Sequence, residues 1–449
     1  MTAIKHVRAL QRCNARSLNF FVGGVLKDDN SSSLVNGLSD LGPGLIAGAA
    51  DDDPSGIATY SQAGAQFGFA MLWTVVLTLP LMVAIQLVSA RIGFATRKGL
   101  VANINAGFPR WVVLAVVGML AGANILNLAA DIAAMAQALR LVIGGSTHVY
   151  ALTFGLTCLA LQVLVPYATY VRWLKWLTLV LLSYVGVALS AELDWADALR
   201  ATVLPQFHVD RNALLMIVAV FGTTISPYMF FWQAAQEVEE ADMRPARTRG
   251  DVGRQLRRIK ADTIVGMTFS NLIAFFIILS TAATLRAAGL TDIRTSAQAA
   301  EALRPIAGPL TFALFSLGII GTGMLAVPVL AASAAYAVSE AFGWRGTLTA
   351  RLQCNEGRGF YGVIAAATVG GTLLCFTPFD PVQELFWSAV LNGIIAVPIM
   401  SVLMLLAARP QTMGRQTISA RLRALGWLAT LSMAVTVAAM FVAVCMASV

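Results

Sequence analysis

Charge is what this chain has least of. Of its 449 residues only 12% are Asp, Glu, Lys or Arg, against 58% hydrophobic, and the mean hydropathy is +0.74. A soluble domain carries roughly twice that share of charge, so a string of soluble domains is excluded and a single polytopic membrane domain is indicated. Histidine is scarce too: His6, His148 and His208 fall in the N-terminal tail or in loops, which leaves the expected spans without an imidazole. Five cysteines (Cys13, Cys158, Cys354, Cys375, Cys445) show neither paired nor metal-ligand spacing. Three of them lie in apolar segments, where Cys is a small hydrophobe. No nucleotide-binding motif is present, which argues against an ATP-driven pump, and no nucleophile constellation argues for an enzyme. The first forty residues are polar and basic without an apolar core, so no cleavable signal is expected. The net charge of +8 does not indicate nucleic acid. The basic residues sit in short loops between apolar runs, where they set orientation.

What remains is a succession of apolar runs. Eleven spans are expected, at about 42–69, 70–90, 111–140, 149–166, 171–191, 212–236, 262–285, 308–342, 360–378, 382–408 and 424–447. Residues 1–40, with Lys5, Arg8, Arg12, Arg16 and Lys27, read as a cytoplasmic tail. Placing the tail inside puts the loops after spans two, four, six, eight and ten in the cytoplasm, and those loops hold most of the Arg and Lys. The richest follows span six, with Arg244, Arg247, Arg249, Arg254, Arg257, Arg258 and Lys260. The segment Glu192 to Arg211 is mixed in charge and reads as extracellular. The positive-inside rule thus gives N-terminus in and C-terminus out, in a bacterial-type inner membrane.

The stretch Gly42 to Phe69, GPGLIAGAADDDPSGIATYSQAGAQFGF, opens as an apolar helix and is interrupted by Asp51, Asp52, Asp53, Pro54 and a Ser-Gly pair. Carboxylates inside a span face a cavity or a partner, because hydrocarbon does not solvate them. Pro54 cannot donate to the helix ladder and Gly56 relaxes the backbone, so an unwound break is predicted there. Span six is interrupted in the same way at Ser226-Pro227. Spans one and six stand five apart. Five is odd, so two such halves lie upside down relative to each other, an inverted repeat with a site between the two breaks. The repeats are expected at about 42–191 and 212–408 within a core at 41–408, with a linker and an eleventh helix at 409–449. A plain proline kink is the competing reading of Pro227.

GPG at 42–44, Asp53-Pro54 and QAGAQFGF at 62–69 resemble the first span of the Nramp family of divalent-metal transporters. IQLVSARIG at 85–93, with Thr96, Lys98 and Leu100, resembles that family's second span and loop, and GTTISP at 222–227 resembles its sixth. The similarity runs from about 42 to 408. It implies an all-α polytopic membrane protein of LeuT-type fold, five plus five helices and one more, with helices one and six unwound around the metal. The chain departs from the family where selectivity lies. The family's Asp-Pro-Gly-Asn reads Asp53-Pro54-Ser55-Gly56, so the ligating asparagine is gone. Its Ala-x-x-Met-Pro-His reads Thr223 to Tyr228, with Ser226 for the methionine and Tyr228 for the histidine. A second histidine is Gln233. The Asp and Glu that help proton movement in span three match Asn127 and Ala130, with Asp131 one residue along, and the span-ten glutamine matches Ser388.

Losing the thioether removes the soft ligand. An all-oxygen set of Asp53, Ser226, Thr223 and break carbonyls suits magnesium, calcium or manganese. Gly56 and Ser226 are smaller than the residues they replace and are expected to enlarge the cavity for an ion that keeps its waters. Asp52, and less so Asp51, would hold a hydrated dication through water. Two other roles stay open: Asp51 and Asp52 bonding free backbone donors of the break, and Ser226 and Thr223 capping the second half of span six. Asp131 either substitutes for the proton-moving pair or is a solitary acid bonded to Asn127 or Gln137. Asn127, Asp131, Tyr228, Gln233 and Ser388 are the candidate proton-path or supporting residues.

The expected activity is import of a hard divalent cation, Mg2+ or Mn2+, by alternating access, weakly coupled or uncoupled to protons. The alternatives are a proton-coupled Mn2+ or Fe2+ importer with a rebuilt site, and a transporter of an organic cation or amino-acid-type solute. The aromatic run Tyr228, Phe230, Phe231 and Trp232 would serve the last. A non-transporting membrane protein such as a sensor is a further reading. The cation is cargo, no cofactor is expected, and the partners are the metal ion and the lipid bilayer, with no obligatory protein partner. Glu237, Glu239 and Glu240 are expected to be solvated and to face the basic loop, with an exit funnel for cations as the other reading.

Overall fold

The computed structural model describes residues 42–446 apart from 166–168, 170–173, 175–176, 192, 206–209, 244–247, 345, 349–356, 379 and 415. The expected tail, His6, His208, Cys13, Cys354, Arg244, Arg247 and residues 171–173 and 175–176 of span five lie outside the described residues. Fifteen helices carry the architecture: α1 Pro43–Asp51, α2 Pro54–Phe67, α3 Leu72–Thr96, α4 Leu100–Gly107, α5 Arg110–Ile143, α6 Thr147–Leu164, α7 Leu182–Ser190, α8 Trp195–Val203, α9 Arg211–Thr224, α10 Pro227–Met243, α11 Arg249–Thr281, α12 Thr311–Ala341, α13 Arg358–Leu374, α14 Pro381–Ala407 and α15 Ala420–Met446. Shorter helical turns lie between them, and no strand occurs among the described residues.

Eight helices among these residues are long and apolar enough to cross a membrane, nine if Leu177–Ser190 and Trp195–Val203 form one span. The difference from eleven is one of division. Pro54–Thr96 counts as one apolar stretch where the sequence predicts two spans, although Gly68 at φ 62° turns the chain inside it. At 17 residues, α13 lies at the lower limit of length for crossing a bilayer and is not among the eight.

Both expected breaks are present. The first falls at Asp52 and Asp53 between α1 and α2, the second at Ile225 and Ser226 between α9 and α10. Each second half starts with proline at its first position, where the missing N–H costs nothing. α1, α2, α3, α10 and α11 pack as one group, and α5, α6, α12 and α13 as another, while α14 bridges α5 and α9. Small residues let the backbones meet. A Cβ on Gly48 would stand 2.2 Å from the Gly266 carbonyl oxygen, and one on Gly222 2.1 Å from that of Ala389, so α1 lies directly on α11 and α9 on α14.

Three expectations, for the basic segment, the acids of α10 and His148, are corrected. The basic segment after span six is largely helix: Thr248 and Asp251 form a reciprocal capping box (2.9 and 3.2 Å) that starts α11, placing Arg254, Arg257, Arg258 and Lys260 on its first turns. The acids at the end of α10 are not freely solvated. Glu237 is 1% exposed, Glu239 accepts from Tyr336 (2.5 Å) and the Leu348 amide (2.9 Å), and both oxygens of Glu240 take the Arg258 guanidinium. The segment 192–211 contains α8, capped by Asp194. His148 lies inside the first turn of α6, stacked on Phe376 at 5.1 Å between ring centres.

Candidate functional site

The two breaks touch. Asp53 is the N-cap of α2, and its Oδ1 accepts the Gly56 N–H at 2.7 Å. Its Oδ2 lies 3.3 Å from the Tyr228 hydroxyl, which stands on the first turn of α10 and also reaches the Ala50 carbonyl at 3.2 Å. That hydroxyl has one hydrogen, so it donates to one of the two at a time. Gly56 is the point of closest approach: a Cβ there would meet Thr223 Oγ1 at 3.3 Å and the Asp51 carbonyl at 3.4 Å. The space that glycine leaves is therefore partly taken by the Thr223 hydroxyl and the Tyr60 ring. Ser226 does not cap α10 with its side chain. Its hydroxyl turns back toward the carbonyls of Thr223 (2.7 Å) and Gly222 (3.1 Å), which the break leaves without helical partners.

Asp51 and Asp52 turn toward α11. Ser270 Oγ lies 2.9 Å from Asp51 Oδ2 and 3.0 Å from Asp52 Oδ1, while Asp52 Oδ2 has no hydrogen-bond partner among the described residues. Ser55 reaches the Leu385 carbonyl (2.9 Å) and Ser388 (3.2 Å), so Ser388 ties α14 to the first turn of α2. On α5, Asn127 donates to Asn392 at 3.1 Å. Asp131, one turn on, has no side-chain hydrogen-bond partner for either oxygen among the described residues; the Ser55 amide approaches it, and it lies within electrostatic reach of Asp53. Neither expected partner holds it: Asn127 is engaged with Asn392, and Gln137 accepts from Ser296 at 2.8 Å. Gln233 sits off the crossing, linking Gln86 on α3 (2.6 Å) to Thr263 on α11 (2.9 Å). Phe230, Phe231 and Trp232 are buried in packing, at 2% exposure or less.

Two residues at the crossing escape sequence reasoning. Ser270 belongs to a Ser-Asn pair inside an otherwise apolar run. Tyr60, one turn beyond Gly56 on the same face of α2, hydrogen-bonds Thr224 of the other break at 2.9 Å.

The electrostatics decide what the crossing can hold. Asp51, Asp52, Asp53 and Asp131 are 2%, 1%, 3% and 0% exposed. No ion pair involves any of them among the described residues; the pairs found are all elsewhere. Buried carboxyl groups need hydrogen bonds and a counter-charge, and no side chain supplies the charge here. Nor do the described residues contain a group of three His, Cys, Asp or Glu arranged to hold a metal. A cation at this crossing would complete its shell with hydroxyls, backbone carbonyls and water.

Known proteins resemble the chain in sequence and in fold. The family model described as natural resistance-associated macrophage protein-like (Nramp) matches residues 44–443. The divalent metal cation transporter MntH of Yersinia pestis (strain Pestoides F) is 32% identical over 303 residues, 64% of this chain and 69% of that protein. The MntH of Erwinia tasmaniensis is 29% identical over 304 residues, 63% and 68% of the two chains. Among solved structures, the Eremococcus coleocola manganese transporter superposes with a TM-score of 0.71 at 15% identity, covering 93% of this chain and 90% of that one. Mhp1, a nucleobase-cation-symport-1 family transporter, gives 0.55 at 16% identity, covering 90% and 93%. At such identities these structures speak for the fold alone, which is the LeuT type.

Proposed function

For this chain, which belongs to the Nramp family, we propose transport of a divalent metal cation across the membrane, with the crossing of the two broken helices as the binding site. One observation carries the reading: buried acids from α1, the first break and α5 gather at that crossing with no cationic side chain among the described residues to balance them. Asp53 is the ligand at the centre. Thr223, Ser226 and the break carbonyls supply neutral oxygens, and Asp52 acts through water. Gly56 lets α2 and α9 approach closely enough for both breaks to face one ion.

The finer proposal is a hard cation, Mg2+ or Mn2+. No thioether stands at the Ser226 position, and oxygen-only sites favour hard ions that retain water. Transport is weakly coupled or uncoupled to protons, because Asn127 and Gln233 are amides that cannot carry a proton through the cycle. The membrane potential then drives import, at about 2.3 kcal/mol per charge per 100 mV and so about 4.6 kcal/mol for a dication. The group containing α1, α2, α10 and α11 would move against the group containing α5 and α12 to expose the crossing alternately to each side. The N-terminus lies in the cytoplasm in this reading.

The test is uptake into proteoliposomes of Mg2+, Mn2+ and Cd2+ with a pH-sensitive dye inside. The proposal expects potential-driven Mn2+ or Mg2+ entry, poor Cd2+ entry and no metal-dependent acidification. Cd2+ entry matching Mn2+, with acidification, would return the chain to a proton-coupled carrier of softer metals.

A further inference from the structure

Beyond the crossing, we propose a second cation-binding station at the end of α10, built on Glu237, that takes a hydrated hard divalent cation. α3, α10 and α11 border an open cleft of about 220 Å3 there, its polar lining being Glu237, Glu240, Arg254, Gln255 and Arg258. At about 30 Å3 per liquid water, that is room for about seven waters, or for a cation and its first hydration shell.

The hydrogen bonding leaves one carboxylate oxygen of the cluster without a partner. Arg258 spends its fork on Glu240, through Nη1 to Oε1 and through Nη2 to Oε2 at 2.5 Å. The Gln233 amide reaches the Glu237 carboxylate, Arg258 Nη2 stands 4.0 Å from its Oε2, beyond hydrogen-bond range, and its Oε1 has no hydrogen-bond partner among the described residues. Its side chain is only 2% exposed, so open solvent does not satisfy that oxygen. Asp262 adds negative charge from α11, its two oxygens accepting the amides of Gly42 (3.1 Å), Gly44 (2.7 Å) and Leu45 (3.1 Å) at the start of α1. Arg254 brings no balance to the cavity, since it is mostly exposed and paired with Asp251. Among the described residues, Glu237, Glu240 and Asp262 thus face one engaged guanidinium. A hydrated pocket whose anionic donors are carboxylate oxygens selects a hard dication, and Arg258 is its built-in competitor. The station adjoins the N-terminus of α1, the half of the first broken helix whose far end carries Asp51.

The test counts Mn2+ bound to the purified full chain by loss of the free-ion electron paramagnetic resonance signal. In an Asp53→Asn background one Mn2+ should remain, and adding Glu237→Gln should remove it. Glu240→Gln, which frees Arg258 to pair with Glu237, should weaken that binding about tenfold, whereas Arg258→Gln should tighten it by a similar factor. A merely structural role for the cluster predicts weaker binding in all three variants. Unfolding midpoints of each variant establish that the fold is kept. Residual Mn2+ binding that survives Glu237→Gln, or that weakens with Arg258→Gln, overturns the station, as does an Asp53→Asn chain that binds no Mn2+. If Asp53→Asn leaves the count at its parent value while Glu237→Gln lowers it, the station stands and the crossing fails as the metal site.

Discussion

Asparagine in place of Asp53 separates charge from shape at the crossing. Asn caps helices as well as Asp does, so the 2.7 Å bond from the Gly56 amide is kept. Only the contact with the Tyr228 hydroxyl must be rebuilt, at a cost of about 0.5–1.5 kcal/mol. The lost charge weighs more. A unit charge pair at 4 Å is worth about 4 kcal/mol at an effective dielectric constant of about 20, and about 8 kcal/mol when one partner is a dication. If dehydration and bridging water take back two thirds, about 2.7 kcal/mol remains, or about 100-fold in affinity. Titration calorimetry with Mn2+, with thermal unfolding on the same preparation, reads both quantities. The expected outcome is affinity at least about 100-fold weaker with a nearly unchanged melting profile. A dissociation constant within about threefold of the parent would refute the placement of the ion beside this carboxylate.

Ser226→Met restores a soft donor at the second break while leaving the Gly222 and Thr223 carbonyls without the serine hydroxyl. Cd2+ uptake relative to Mn2+ in proteoliposomes should rise by about tenfold or more, at a stability cost of about 1 kcal/mol. Gly48→Ala drives a methyl to 2.2 Å from the Gly266 carbonyl. Since backbone cannot yield there as a side chain would, unfolding should shift by at least about 1–3 kcal/mol, and an unchanged midpoint would deny the close packing of α1 on α11. Asp262→Ala strips three amides at the start of α1 of their acceptor. Hydrogen exchange at Gly42, Gly44 and Leu45 should accelerate by about tenfold or more, consistent with about 1.5–3 kcal/mol for hydrogen bonds to a charged group.

What could be read from the sequence was the chemistry that acts locally. Asp53-Pro54 and Ser226-Pro227 announce breaks because proline has no N–H to give and an acid or hydroxyl beside it can serve freed backbone groups. The apolar runs announce spans because hydrocarbon tolerates little else. What escaped was pairing across the fold. Ser270 meets Asp51 and Asp52 from more than two hundred residues away, and no local pattern marks it beyond its polarity in an apolar run. By its sequence resemblance alone Gln233 matches a family histidine, yet its neighbours Gln86 and Thr263 come from two other helices. Glu240 reads as a solvated acid until α11, begun by its capping box, brings Arg258 against it. The Thr-x-x-Asp of that box was legible and would have moved the start of α11 to its observed place.

The central claim, that two broken helices present oxygen atoms to a doubly charged ion, is tested most directly by anomalous diffraction from crystals of the full chain grown with Mn2+. The account predicts a manganese peak between Asp53 and the Thr223–Ser226 turn, within bonding or single-water reach of the Asp53 carboxylate. Manganese density found only elsewhere, with Asp53 still bonded solely to Gly56 and Tyr228, would contradict it.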